Sequence, residues 1–239
     1  MSDVLLTFGD SWPAGAKIKD ASRAFPRLIA EQLHLDLLDL SRPATSIDHV
    51  VMAFFNFLEN AYDANNQYTA LFCLTDISRS MAWRPTVAVP GRDQLWEQDA
   101  TTLELQVGNR VDELSGIYFK HLHSARLELF NYYKNITLLK LLCSKYNIKD
   151  FYAHNFYDPD LEFRIVDKNN FYSATLRQAL DCKPYKEVLP IQATPEEQRE
   201  TYKARLTTNE LIGNGGHPTV AGHQVLADKL SKWIKEDGR

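Results

Sequence analysis

The chain has 239 residues, 44% of them hydrophobic, 24% charged and 11% aromatic, with 27 Lys and Arg against 31 Asp and Glu for a formal net charge of -4. That length suits one domain with a sizeable core, and the balance excludes a low-complexity chain and leaves no electrostatic footprint for nucleic acid or an anionic membrane. No apolar run approaches the roughly 20 residues needed to cross a bilayer, and the first run starts at Val4, too early for a secretory leader.

That first run, residues 4–8, ends in Gly9-Asp10-Ser11-Trp12. A short apolar run closed by Gly-Asp-Ser predicts a buried strand stopping at a turn. In an α/β sheet the carboxyl end of a strand faces the ligand crevice, so Ser11 is a candidate nucleophile. Phe25, Leu28, Ile29 and Leu33 then recur at helical spacing, with Pro26 tolerated in the opening turn. Residues 35–40 predict a second strand that runs into Ser41-Arg42-Pro43-Ala44-Thr45-Ser46. Thr45 or Ser46 can cap the next helix, whose Val50, Val51, Phe54, Phe55 and Leu58 fit a 3.6-residue period.

Residues 68–74 predict a third strand, followed by Thr75-Asp76-Ile77-Ser78-Arg79-Ser80. Around 81–115 the pattern breaks among Trp83, Pro85, Pro90, Gly91 and Trp96, which predicts an insertion covering part of the crevice. Residues 117–146 predict a long helix and 150–153 a fourth strand, while 154–211 is an irregular segment. The many Tyr and Phe between Phe151 and Tyr185 suit a pocket lining, a core or a homo-oligomer interface. Near the other end, Gly213-Asn214-Gly215-Gly216-His217-Pro218 reads as a loop, and a closing helix spans 219–235.

Strands alternating with helices predict an α/β fold, a three-layer α/β/α sandwich around a mostly parallel sheet, as one domain over 1–239. Right-handed crossovers would then open the strand ends near Ser11, Ala44, Thr75 and His154 on one edge. Cys73, Cys143 and Cys182 are an odd, widely spaced set that reads as reduced thiols. The expected setting is cytoplasmic, and delivery in a virus particle would leave the same signature.

A serine near residue 10 in G-D-S, with a histidine in H-P before the last helix, resembles the SGNH (GDSL-type) hydrolase family, and most nearly its compact stand-alone proteins from bacteria and phages. The resemblance implies Ser11 as nucleophile and His217 as general base for acyl transfer from a small or carbohydrate-linked ester. It puts an aspartate three residues before the histidine, where this chain has Asn214. An asparagine can accept from the ring N–H but supplies no charge, and the corresponding change in a serine triad costs about four orders of magnitude in turnover. Glu210 or the Asp158/Asp160 pair are the alternatives, and a plain Ser-His dyad is a third course.

The resemblance also assigns the oxyanion donors. They are the N–H of Ser11, a backbone N–H at Ala44, and a side chain in the block that has become Leu74-Thr75-Asp76-Ile77. Asp76 there cannot donate when ionised, which leaves Thr75 or Ser78, since losing one donor costs roughly 10²- to 10³-fold. Asp10, Trp12, Arg42 and Arg79 are the expected substrate-binding residues, the arginines as a clamp for a carboxylate or phosphate or else as salt-bridge partners. His121 and His123 do not share a helix face, and His217 and His223 are not at metal-ligand spacing, so neither metal nor cofactor is expected. The altered Asp76 and Asn214 blocks support an alternative, a catalytically impaired protein of the same fold that binds a ligand or partner.

Overall fold

The computed structural model describes residues 2–76, 79–83, 102–105, 121, 124–156, 167–180, 209–213 and 215–237. In chain order the elements are β1 (Asp3–Phe8), α1 (Phe25–Leu33), β2 (Asp36–Asp39), α2 (Ile47–Asn60), β3 (Gln67–Leu74), β4 (Ser80–Trp83), β5 (Thr102–Leu105), α3 (Ala125–Lys145), β6 (Lys149–His154), α4 (Leu176–Ala179) and α5 (Val220–Asp237). Four strands form a parallel sheet in the order β2-β1-β3-β6.

The two-residue period of the strands divides the core. Val4, Leu6 and Phe8 of β1 share one apolar cluster with Tyr68, Ala70 and Phe72 of β3, while Leu5, Leu71 and Cys73 belong to the other. The first cluster is closed by α2 and α3 through residues such as Val50, Phe54, Ile136 and Leu139. The second is closed by α1, α4 and α5 through Phe25, Ile29, Leu176, Leu226 and Leu230. A sheet buried on both faces between two helical layers is the expected α/β/α sandwich, and it explains why its strands read as near-continuous apolar runs. Phe8, Phe72 and Tyr152 lie opposite one another in register and stack at 5.1 and 5.3 Å, extended by Phe171 at 5.1 Å from Tyr152.

Local chemistry sets the element ends. Ser46 caps α2, its hydroxyl accepting from the His49 N–H at 3.4 Å. Ser124 does the same for α3, which begins at Ala125; of the expected helical stretch before it, 117–120 and 122–123 lie outside the described residues. Ala24 cannot cap α1, and the Phe25 N–H is instead accepted by Nδ1 of buried His223 in α5, 3.2 Å away. Within the expected insertion, β4 and β5 pair as an antiparallel ribbon, and the rest of 84–120 lies outside the described residues. No described helix is long and apolar enough to cross a membrane. Cys73 and Cys143 are buried free thiols, and Cys182 lies outside the described residues.

In this strand order the chain leaves β1 to one side for β2 and later crosses to the other side for β3. The crevice beyond the carboxyl ends of β1 and β3 is therefore the switch point of the sheet, where ligands of open α/β sheets bind. Ser11 stands there, three residues past the end of β1.

Candidate active site

Gly9 opens the turn that presents Ser11. A Cβ there would lie 2.7 Å from Pro13 Cγ and 2.8 Å from both Cβ and the carbonyl oxygen of Cys73, so only glycine lets the chain turn this close to β3. Asp10 then points inward. Its carboxylate is fully buried and accepts the Trp12 N–H at 3.0 Å and Asn155 Nδ2 at 2.8 Å on Oδ1, and Arg79 Nη1 at 2.9 Å and the Thr75 hydroxyl at 3.3 Å on Oδ2. With Asp10 anchored inward, Ser11 faces the crevice.

The other half of the site comes from the far end of the chain. Gly215 and Gly216 adopt φ of 82° and 72°, the left-handed region, and this turn brings His217 over Ser11. His217 Nε2 lies 3.0 Å from Ser11 Oγ, and Nδ1 lies 2.9 Å from the Gly215 carbonyl oxygen. A carbonyl only accepts, so Nδ1 carries the proton and Nε2 presents its lone pair to the serine hydroxyl. Burial pushes the His217 pKa below its ordinary value. The Gly215 carbonyl and the Asp10 charge oppose that shift, and Lys17 and Arg79 reinforce it.

The sequence expectations meet this geometry unevenly. Ser11 and His217, 206 positions apart, are brought into hydrogen-bond contact. The group at His217 Nδ1 is a main-chain carbonyl, whereas the expectation named side chains; Asn214, Asp158 and Asp160 lie outside the described residues, and Glu210 is exposed with its carbonyl accepting from the Thr219 hydroxyl. Ala44 adopts φ 65°, a conformation glycine favours, and the Ser11 N–H meets no acceptor among the described residues.

Three expectations need correction, Asp10 and Trp12 as substrate contacts and Thr75 as an oxyanion donor. Asp10 and Trp12 do not face a substrate: Asp10 is consumed by the contacts above, and Trp12 is 1% exposed and packs edge-on against Phe156 at 5.2 Å. Arg79 takes the salt-bridge alternative, with Asp10 as partner rather than Asp76 or Asp48: Nη1 is held by Asp10 and by the Thr75 hydroxyl at 2.9 Å. Thr75 is 3% exposed and uses its hydroxyl between Arg79 and Asp10, so it is no oxyanion donor. Asp76 is buried as well, its carbonyl accepting the Arg79 N–H. Arg42 remains exposed, with its N–H on the Gly9 carbonyl at 2.9 Å, and Ser78 lies outside the described residues.

Two participants escaped the sequence reading. The Gly215 carbonyl has no side-chain signature. Asn155 did have one, as the residue directly after the fourth strand, where amide side chains reach the same edge as Ser11.

No protein-family model matches the sequence, and no curated protein sequence does. Solved structures do resemble the fold. One is a protein of the G-D-S-L family from Desulfitobacterium hafniense DCB-2, 10% identical, with a TM-score of 0.51 over 96% of this chain and 98% of that one. Others are a member of the lipolytic G-D-S-L family from Veillonella parvula DSM 2008, 13% identical over 97% of each chain with a TM-score of 0.44, and the psychrotrophic esterase EstA from Pseudoalteromonas sp., 12% identical over 98% of this chain and 97% of that one with a TM-score of 0.44. The first of these spans nearly the whole of both chains, and the chain therefore has the fold of the SGNH (G-D-S-L) hydrolases.

Proposed function

We propose that the protein is a serine hydrolase that cleaves a small or carbohydrate-linked ester, with Ser11 as nucleophile and His217 as general base. The observation that carries this reading is the 3.0 Å contact between Ser11 Oγ and His217 Nε2, with Nδ1 given to a carbonyl. In the proposed reaction Nε2 takes the hydroxyl proton as Oγ attacks the ester carbonyl, and returns it to the leaving alcohol. Water, deprotonated by the same nitrogen, then releases the acyl group from Ser11. The N–H groups of Ser11 and Ala44 receive the oxyanion, and Arg42 stands at the rim for a polar group of the substrate. The Gly215 carbonyl fixes the tautomer without a full charge, so the centre works as a dyad.

Burst release of p-nitrophenol from p-nitrophenyl acetate is the direct measurement. Wild type is expected to show the burst and Ser11→Ala to lose it, with a fluorophosphonate probe labelling only the wild type. Equal, negligible release from both would remove the claim for that substrate. A second reading, a binding protein on this fold, draws on Asp76, buried where a donor to the oxyanion would be expected. Stable binding of a ligand with Ser11 inert to the probe would favour it.

A further inference from the structure

The ends of all four parallel strands are tied together beneath Ser11 by one ion pair. Arg79 Nη1 reaches Asp10 Oδ2 and the Thr75 hydroxyl at 2.9 Å each and the Thr45 carbonyl at 3.4 Å, thereby joining the segments that follow β1, β3 and β2. Asn155, past β6, completes the set on the other carboxylate oxygen at 2.8 Å. The guanidinium also lies over the Phe156 ring at 5.9 Å, and that ring in turn meets Trp12, the residue after the nucleophile. Asp10 shares its turn with Ser11, and its Oδ1 fixes the Trp12 N–H, so whatever holds Asp10 sets the aim of the serine hydroxyl.

Taking Ser11 and His217 as the hydrolytic pair, we propose that Arg79 is a positioning residue of that pair, acting through Asp10: it locks the nucleophile turn and cancels the Asp10 charge that His217 would otherwise face. An arginine suits the task because one planar group meets a carboxylate, a hydroxyl and a ring at once. Among the described residues, the charged groups that act on the His217 ring are Asp10 and Lys17 from the segment after β1 and Arg79 from the segment after β3, while His217 itself acts on His223 of α5. Arg79 is the one joined to Asp10, so removing it shifts the balance at the ring in a known direction.

The test follows the His217 titration in the full chain by NMR at the ring Cε1–H, and p-nitrophenyl acetate hydrolysis on the same samples. The proteins are wild type, Arg79→Met, Arg79→Lys and the charge-free pair Asp10→Asn/Arg79→Met. Arg79→Met is expected to raise the His217 midpoint by about half a pH unit or more, as Asp10 is left uncompensated, and to lower kcat about 10²-fold with KM unchanged. Lysine should restore the midpoint with only part of kcat, and the double variant should restore the midpoint while kcat stays low.

An unmoved midpoint in Arg79→Met, with stability alone reduced, overturns the proposal. So does a change confined to KM, which would put Arg79 on the substrate. If Arg79→Met fails to fold, the double variant decides, since it buries no unpaired charge: wild-type kcat there overturns the proposal. A wild type that hydrolyses nothing would sink the hydrolase reading, whereas the midpoints, which need no turnover, still measure the hold of Arg79 on the ring.

Discussion

At the residue scale the centre is a neutral imidazole between a hydroxyl and a carbonyl. A general base must be unprotonated, and burial lowers the His217 pKa from 6.5. Activity is therefore present above the lowered pKa and lost as pH falls through it. The acid limb of kcat/KM for p-nitrophenyl acetate is expected below pH 6.5, with a plateau through neutrality; a limb above pH 7 would contradict the assignment. Gly9 gives a second prediction. Gly9→Ala forces a Cβ against Cys73 and Pro13, which costs about 1–3 kcal/mol by overpacking and displaces Ser11, so urea unfolding should come earlier and hydrolysis should vanish together. That Ser11 and His217 meet was legible in their two motifs. The inward turn of Asp10 was not, because a short polar triplet after a strand reads the same whether its carboxylate faces solvent or an arginine 69 positions on.

At the element scale, periodicity was enough for α1 and α2, whose apolar stripes meet a sheet face, and Pro218 marked the start of α5. Periodicity failed for β4 and β5, four residues each, too short for a period to show. The α1–α5 contact carries a cap supplied across the fold, a bond that local pattern cannot foresee. His223 accepts the Phe25 N–H as a neutral ring, and burial holds its pKa at about 4, as it does for His49. Both pKa values lie below the unfolded value of 6.5, so the unfolded chain takes up protons first and stability falls as pH drops from about 6.5 towards 4. By pH 5 each histidine should have removed about 2 kcal/mol. Urea unfolding at pH 7 and pH 5 measures this. His223→Gln, which can still accept from Phe25, is expected to lose less on acidification than wild type, and an equal loss would refute the account.

For the whole molecule, two apolar layers on one sheet make the fold legible from alternation alone, and the chain order of strands and helices was enough to put the Ser11, Ala44, Thr75 and His154 ends on one edge. Strand order across the sheet was not, since alternation is silent on which neighbour each strand pairs with. Phe72 stands at the middle of the stacked rings that run from β1 to β6, fully buried. Phe72→Ala is expected to cost about 3–5 kcal/mol in urea unfolding, and Phe72→Leu, which removes less volume, to cost less.

Because β1 and α5 bring serine and histidine from opposite ends of the chain, the reaction centre divides naturally into two parcels. A polypeptide of residues 1–105 holds the hydroxyl with three of the parallel strands, and one of 121–239 holds the imidazole with the fourth strand and the helix that packs on α1. Neither parcel alone should release p-nitrophenol, and mixing them should restore release in proportion to reassembly, which would make hydrolysis a readout of fragment complementation.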